Sequence, residues 1–216
     1  MRIGVIQASS QISKNRVLYE LTEKNAVNDE VINFGCFKEE TEEYSYVDIA
    51  FQSGMLLASR AVDFIVTGCS SGQGMMLACN SIPSVLCGYT PTPQDAYLFG
   101  RINNGNAVSV PLGLNYGWAG ELNLDYTLQA LFAQDFGTGY PKEDAERKRR
   151  DSELVKKLKS TSEVTFTQFL NNLDSSFLSR NLKRSAVTEY ILEYGRKKET
   201  VAYIKKLYEK RPAIQR

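Results

Sequence analysis

The sequence predicts an α/β fold: a three-layer, Rossmann-like parallel sheet of about five strands with helices on both faces, plus a helical C-terminal extension. Three observations predict it. Short apolar runs alternate with helical stretches, the order that lays parallel strands beneath crossover helices. The third run ends in a glycine loop that opens a helix. From about residue 151 the apolar runs give way to helical periodicity rich in Lys, Glu, Leu and Tyr. With 216 residues, 43% of them hydrophobic, the chain can build a sizeable core, and its length fits one domain with an appendage.

Taken in order, residues 2–6 read as a buried strand. A polar turn, Ala8-Ser9-Ser10-Gln11, follows, and Ser13-Lys14-Asn15 opens a helical stretch through Val17, Leu18 and Leu21. Residues 31–34 form a second strand stopped by Gly35, and an acidic loop over 38–43 leads into a helix over 46–59. Its apolar positions Val47, Ile49, Ala50, Met55, Leu56 and Leu57 fit an amphipathic or largely buried segment. Residues 63–67 are the third strand, and helix resumes over 75–79. Strands at 84–87 and 107–110 and a helix over 122–132 complete the α/β part. Beyond it, 152–159, 166–173 and 187–208 have helical periodicity, with breaks at Ser160-Thr161-Ser162 and at Gly195. The expected division is an α/β domain over 1–150 and a helical extension over 151–216 for packing or oligomerisation.

Composition excludes whole classes of chemistry. There is no histidine, so Ser/His and Cys/His nucleophile pairs, histidine metal sites and imidazole general bases are out. Cys36, Cys69, Cys79 and Cys87 sit in apolar surroundings without a CxxC pair, the usage of a reducing cytoplasm. No apolar run approaches the ~20 residues of a membrane helix, and the N-terminus enters a strand without a leader pattern. The expectation is a cytoplasmic protein with no membrane partner. The net charge of +1 conceals a division: residues 1–140 carry 7 Lys+Arg and 14 Asp+Glu, whereas 141–216 carry 19 and 11. The basic residues of the second part alternate with acids, which marks solvated helix faces rather than a nucleic-acid surface. Opposite charge on the two parts favours contact between subunits or cations aimed at an anionic ligand.

The segment Gly68-Cys69-Ser70-Ser71-Gly72-Gln73-Gly74 is the most informative. A glycine loop between a strand and a helix presents unpaired N–H groups at the helix N-terminus, a site for a phosphate or a developing oxyanion. The spacing is neither the dinucleotide fingerprint nor a P-loop, so a nucleotide-binding module is disfavoured. Cys69 lies just ahead of that helix, where the dipole favours a thiolate.

The run Cys69-Ser70-Ser71-Gly72-Gln73-Gly74-Met75-Met76-Leu77-Ala78-Cys79-Asn80 resembles the Cys-Gly-Thr-Gly-x-Gly-x-x-x-Ala-x-Asn signature of type B ribose-5-phosphate isomerases, which group with the galactose-6-phosphate isomerase subunits. Asn103-Asn104-Gly105-Asn106 resembles the family's His-Asn-x-x-Asn motif, and Glu43-Tyr44-Ser45 stands where the family has Asp-Tyr-Pro. The resemblance covers about residues 1–155. It implies an aldose–ketose isomerisation of a phosphorylated sugar through a cis-enediolate, without cofactor or metal, in a homodimer or higher homo-oligomer with shared active sites. On that pattern Cys69 is the proton-transferring base and Ser71 assists at the reacting oxygens. The amides of Gly72, Gln73 and Gly74 hold the enediolate, Asn103 binds substrate hydroxyls, and Tyr44, Ser9 and Ser10 line the substrate. Arg150 and Arg147 bind the phosphate, with Lys14 and Arg101 as further candidates.

Two departures matter. The family's ring-opening histidine falls on Ile102, and its N-terminal Asp-His pair falls on Ala8 and Ser9. Classical ribose 5-phosphate chemistry is therefore not expected; either the substrate is already open-chain, such as a four-carbon sugar phosphate, or Ser10, Gln11, Lys14 or Asp95 takes over the missing roles. The competing expectation is a catalytically inactive sugar-phosphate sensor or assembly protein.

Overall fold

The computed structural model describes residues 1–210; residues 211–216, the end of the expected extension, lie outside the described residues. Five strands form one all-parallel sheet: β1 (Arg2–Gln7), β2 (Glu30–Asn33), β3 (Phe64–Cys69), β4 (Cys87–Tyr89) and β5 (Ala107–Pro111), in the order β2-β1-β3-β5-β4. The α/β part also holds α1 (Asn15–Asn25), α2 (Tyr46–Ala58), α3 (Gln73–Asn80), α4 (Pro93–Leu98) and α5 (Gly120–Phe132).

Strand alternation sets the two faces. Ile3, Val5, Phe64, Val66, Val108 and Val110 point into a core with Leu18 of α1, Ala96 of α4 and Leu124, Leu128 and Leu131 of α5. Ile6 and Ile65 point the other way, into a core with Ile49, Met55 and Leu56 of α2 and Met75 of α3. From β1 the chain crosses to β2 on one side, and from β3 it crosses to the opposite side of the sheet. The connections after β1 and β3 therefore diverge and open a crevice at their carboxyl ends.

The extension comprises α6 (Ala145–Ser162), α7 (Phe166–Asn172), α8 (Ser175–Leu182), α9 (Ser185–Tyr194) and α10 (Lys198–Glu209). α6 runs without interruption through position 150. Phe166, Leu170, Leu182, Val187, Ile191 and Ile204 join the same core as the inner residues of α2. This is why α2 is buried on nearly all sides: the sheet covers one face and the extension the other.

Several boundaries differ from the sequence reading. β4 starts at Cys87, not Ser84, because Ser84 is left-handed (φ 67°) and the Asn106 side chain binds both the Leu86 amide (2.8 Å) and the Ser84 carbonyl (2.8 Å), holding 84–86 as a loop. β3 extends through Gly68 and Cys69, whose backbone pairs with Val110 and Pro111. α4 escaped the reading because it is only six residues long; Thr92 caps it and Pro93 occupies its first turn. α8 was missed too, although the Asp174 carboxylate accepts the Ser176 and Phe177 amides at its start. The stretch 187–208 is two helices parted at Gly195, the break the sequence reading expects, whereas α6 continues through the other expected break at 160–162.

Candidate active site

The crevice at the switch point is an open cleft of about 810 Å³ lined by Ala8, Ser9 and Ser10 after β1, residues 43–46 at the start of α2, Cys69, Ser70, Ser71 and Gly74 after β3, and Arg180 of α8. The loop into α2 is fixed from both ends. Ser45 and Asp48 form a reciprocal capping box, Ser45 Oγ accepting the Asp48 amide (3.3 Å) and Asp48 Oδ2 the Ser45 amide (2.9 Å). Ser9 clasps Tyr44: Ser9 Oγ accepts the Tyr44 amide at 2.7 Å and the Ser9 amide donates to the Tyr44 carbonyl at 3.0 Å. Gln11 Nε2 donates to Ser70 Oγ (2.8 Å), joining the two loops that diverge at the switch point.

Cys69 is the last residue of β3 and only 7% exposed, with its side chain in the cleft wall. Its Sγ accepts the Gly72 amide at 3.3 Å. Gly72 is the N-cap of α3 at φ 76°. A Cβ there would lie 2.8 Å from the Tyr89 ring and 2.9 Å from the Val110 carbonyl carbon, so only glycine makes this turn. The Ser109 hydroxyl, on β5, donates to the Gly72 carbonyl (2.6 Å). Of the three loop amides named from the sequence, that of Gly72 is thus turned onto the sulfur, while Gln73 and Gly74 open the first turn of α3, where helix geometry supplies no intrahelical acceptor. The arrangement places a thiol and a donor-rich helix end on one wall, which suits moving a proton beside a developing oxyanion.

Other signature residues serve the frame. Asn80 accepts the Cys87 amide (2.9 Å) and donates to the Cys87 carbonyl (2.8 Å), so the last position of the signature locks β4 to α3. Tyr44 is buried, and that burial raises its phenol above the ordinary range.

Part of the predicted set falls elsewhere. Asn103 closes the short π-turn Phe99–Asn103 at the amino end of β5, the far end of a sheet whose six-residue strands are about 20 Å long. Arg147 and Arg150 lie exposed on α6 near that same end; Arg147 pairs with Asp144 (3.1 Å) and Asp151 (3.3 Å). Arg101 is 1% exposed, donates to the Leu131 carbonyl (2.9 Å) and packs against Tyr97 and Phe136; it lies outside the Cys69 cleft lining, and burial lowers its pKa. Lys14 stands 3.7 Å from the centre of the Tyr116 ring, outside the Cys69 cleft lining.

Sequence reasoning missed Arg180, which reaches the cleft from the extension. No local pattern marks it, since the next arginine, Arg184, already lies beyond the end of α8. Among the described residues no group of three or more His, Cys, Asp or Glu side chains is placed to hold a metal ion, and no helix is long and apolar enough to cross a membrane.

Comparison with known proteins adds to this geometry. The model of the Ribose/Galactose Isomerase family matches residues 3–150. A crystal structure of a 4-deoxy-L-threo-5-hexosulose-uronate ketol-isomerase complexed with a tartrate is 36% identical, covers 97% of this chain and 100% of its own, and superposes with a TM-score of 0.92. A ribose-5-phosphate isomerase from Vibrio parahaemolyticus is 32% identical over 96% of this chain and 99% of its own, with a TM-score of 0.90. The type B ribose 5-phosphate isomerase of Trypanosoma cruzi, 19% identical, covers 74% of this chain and 99% of its own at a TM-score of 0.62, a likeness of fold. No curated protein sequence matches.

Proposed function

The chain belongs to the ribose/galactose isomerase family, and from that premise we propose that it interconverts the aldose and ketose forms of an open-chain, anionic sugar by proton transfer through a cis-enediolate. Cys69 takes the proton from the carbon beside the carbonyl and returns it to the former carbonyl carbon, while one proton moves between the two oxygens. The first-turn amides of α3 stabilise the enediolate oxygens, and Ser71 assists that oxygen-to-oxygen transfer. The observation that carries this reading is the Cys69 thiol held by the Gly72 amide at the mouth of a helix, inside the switch-point cleft.

A sugar acid of the 4-deoxy-5-hexosulose-uronate kind is the substrate class favoured. A 4-deoxy sugar has no O4 to close a furanose, and a ketone at C5 leaves no O5 hydroxyl to close a pyranose. Such a molecule lacks the ordinary furanose and pyranose closures at its aldehyde, which agrees with Ile102, Ala8 and Ser9 standing where the family pattern has its ring-opening and phosphate-contacting residues. The relative that acts on this class is similar over the whole chain, extension included. A phosphorylated sugar is the second reading, favoured by the likeness to the Vibrio ribose-5-phosphate isomerase. We place Asn103, Arg147 and Arg150 in the cleft of a second copy in a homodimer, since within one chain they lie at the opposite end of the sheet.

The test is solvent-deuterium exchange by NMR with a 4-deoxy-5-hexosulose uronate and with four-, five- and six-carbon sugar phosphates. Exchange at C1 or C2 that is lost in Cys69→Ala supports the reading and selects the substrate. Binding without exchange for every compound selects the inactive sensor instead.

A further inference from the structure

Among the described residues lining the Cys69 cleft there is one cation, and the α/β domain does not supply it: Arg180 comes from α8. Its side chain is 46% exposed and its guanidinium is held on the protein side only. One Nη donates to the Glu43 carbonyl and stands 3.5 Å from Asp48 Oδ2, and the guanidinium carbon lies 5.7 Å from the centre of the Tyr44 ring. Most of its five N–H groups are left to the cleft, in the planar fork that matches two coplanar oxygens.

What holds α8 in this rotation is a chain of buried polar contacts. Asn181 Nδ2 donates to Asp48 Oδ1 (3.0 Å), and Gln52 Nε2 donates to Asn181 Oδ1 (2.9 Å). Arg184 Nη1 donates to Gln52 Oε1 (2.7 Å), and its Nη2 donates to the Phe34 carbonyl (2.6 Å) and to Glu40 Oε1 (2.8 Å). Arg184 also lies beneath the Tyr44 ring, 4.8 Å from its centre. The network holds one arrangement of α8 against α2 through Asn181 and Gln52, although Arg184 Nε and Glu40 Oε2 are buried without a partner. Here that arrangement fixes Asn181, and with it the neighbouring Arg180 at the cleft mouth.

We propose that Arg180 binds the terminal carboxylate of the substrate, with Arg184 as its positioning residue, so that the extension completes the cleft as well as packing on α2. The assignment rests on the isomerase reading for its substrate. The cleft runs from Cys69 at one wall to Arg180 at another, so the reacting end and the charged end of the substrate are held apart.

The experiment compares wild type, Arg180→Gln and Arg180→Lys, each checked for an unchanged melting temperature, on a 4-deoxy-5-hexosulose uronate and on its neutral uronamide. The expected result is a KM for the uronate raised about 10- to 100-fold in R180Q, with R180K between, kcat within about threefold, and no change of KM for the uronamide. Equal losses on both compounds, or an unchanged KM for the uronate, overturn the proposal. If wild type turns over neither compound, the isomerase reading fails separately, and protection of Cys69 from iodoacetamide by tartrate or inorganic phosphate decides for Arg180. Protection by tartrate that R180Q loses upholds the carboxylate site. Protection equal in both proteins, by phosphate alone, or by neither compound overturns it.

Discussion

The amide of Gly72 points at the sulfur of Cys69, 3.3 Å away, across a turn that no residue with a side chain can make. The thiol and the backbone that orients it are therefore one local unit, three residues apart in the chain.

Replacing the thiol tests its chemistry apart from its packing. Cys69→Ala is expected to slow isomerisation by a factor of about 10²–10⁴, the usual share of a positioned acid–base group, with a melting temperature close to wild type. Turnover and differential scanning calorimetry on the same preparation check both halves.

Gly72→Ala is expected to be worse for the fold than Cys69→Ala. Its methyl would meet the Tyr89 ring and the Val110 backbone at under 3 Å with φ at 76°. A loss of about 1–3 kcal/mol in urea unfolding, together with lost activity, is the anticipated outcome.

The four thiols should separate under alkylation. Burial pushes the Cys36 thiol up, and Cys87 is raised further by its hydrogen bond with Cys79 and by burial. Mass spectrometry after brief iodoacetamide treatment of the native protein should find Cys69, on the cleft wall, modified first. The same shifts govern stability at high pH. A thiol kept protonated in the fold contributes fully below the ordinary thiol range and loses that contribution as pH rises through its raised value. Cys36→Ala should flatten the alkaline limb of the stability curve.

Asp63 behaves in the opposite sense. Burial pushes its carboxyl upward, but the Arg2 amide (2.8 Å) and the Arg196 guanidinium outweigh burial and leave it below the usual range. Its contribution is present at neutral pH and lost as pH falls through the lowered value. Asp63→Asn should be less stable than wild type at pH 7, and the difference should vanish in acid; urea titrations across pH measure this.

Arg184→Met leaves Glu40, Gln52 and the Phe34 carbonyl without their partner. Breaking a buried charged pair in this way costs about 3–5 kcal/mol. Because the extension shares a core with α2, tryptophan-independent probes of both parts, such as far-UV dichroism and amide exchange in α9, should report one transition in wild type and in the variant.

The sheet and the glycine loop were legible because their signals are local: apolar runs of strand length, and a cysteine and two glycines within six residues. The start of β4 was not, since nothing in Ser84-Val85-Leu86 announces a left-handed serine held by Asn106, 22 residues away. Arg180 was illegible for a stronger reason. Its place depends on Asn181 meeting Asp48, 133 residues earlier in the chain, a contact that exists only once α2 and α8 are packed. Asn103, Arg147 and Arg150 were grouped with Cys69 by motif, and topology separates them within the chain.

The double covering of α2 has a hereditary consequence. Asp48 and Gln52 are buried with partners on α8 and in the turn between α8 and α9; a chain that lost those helices would strand two polar groups and uncover Phe51 and its apolar neighbours at once. Gain or loss of the extension therefore cannot be a single deletion between otherwise equal sequences. Transplanting α7–α10 onto a shorter relative should seat only when residues corresponding to 48 and 52 are transplanted with them.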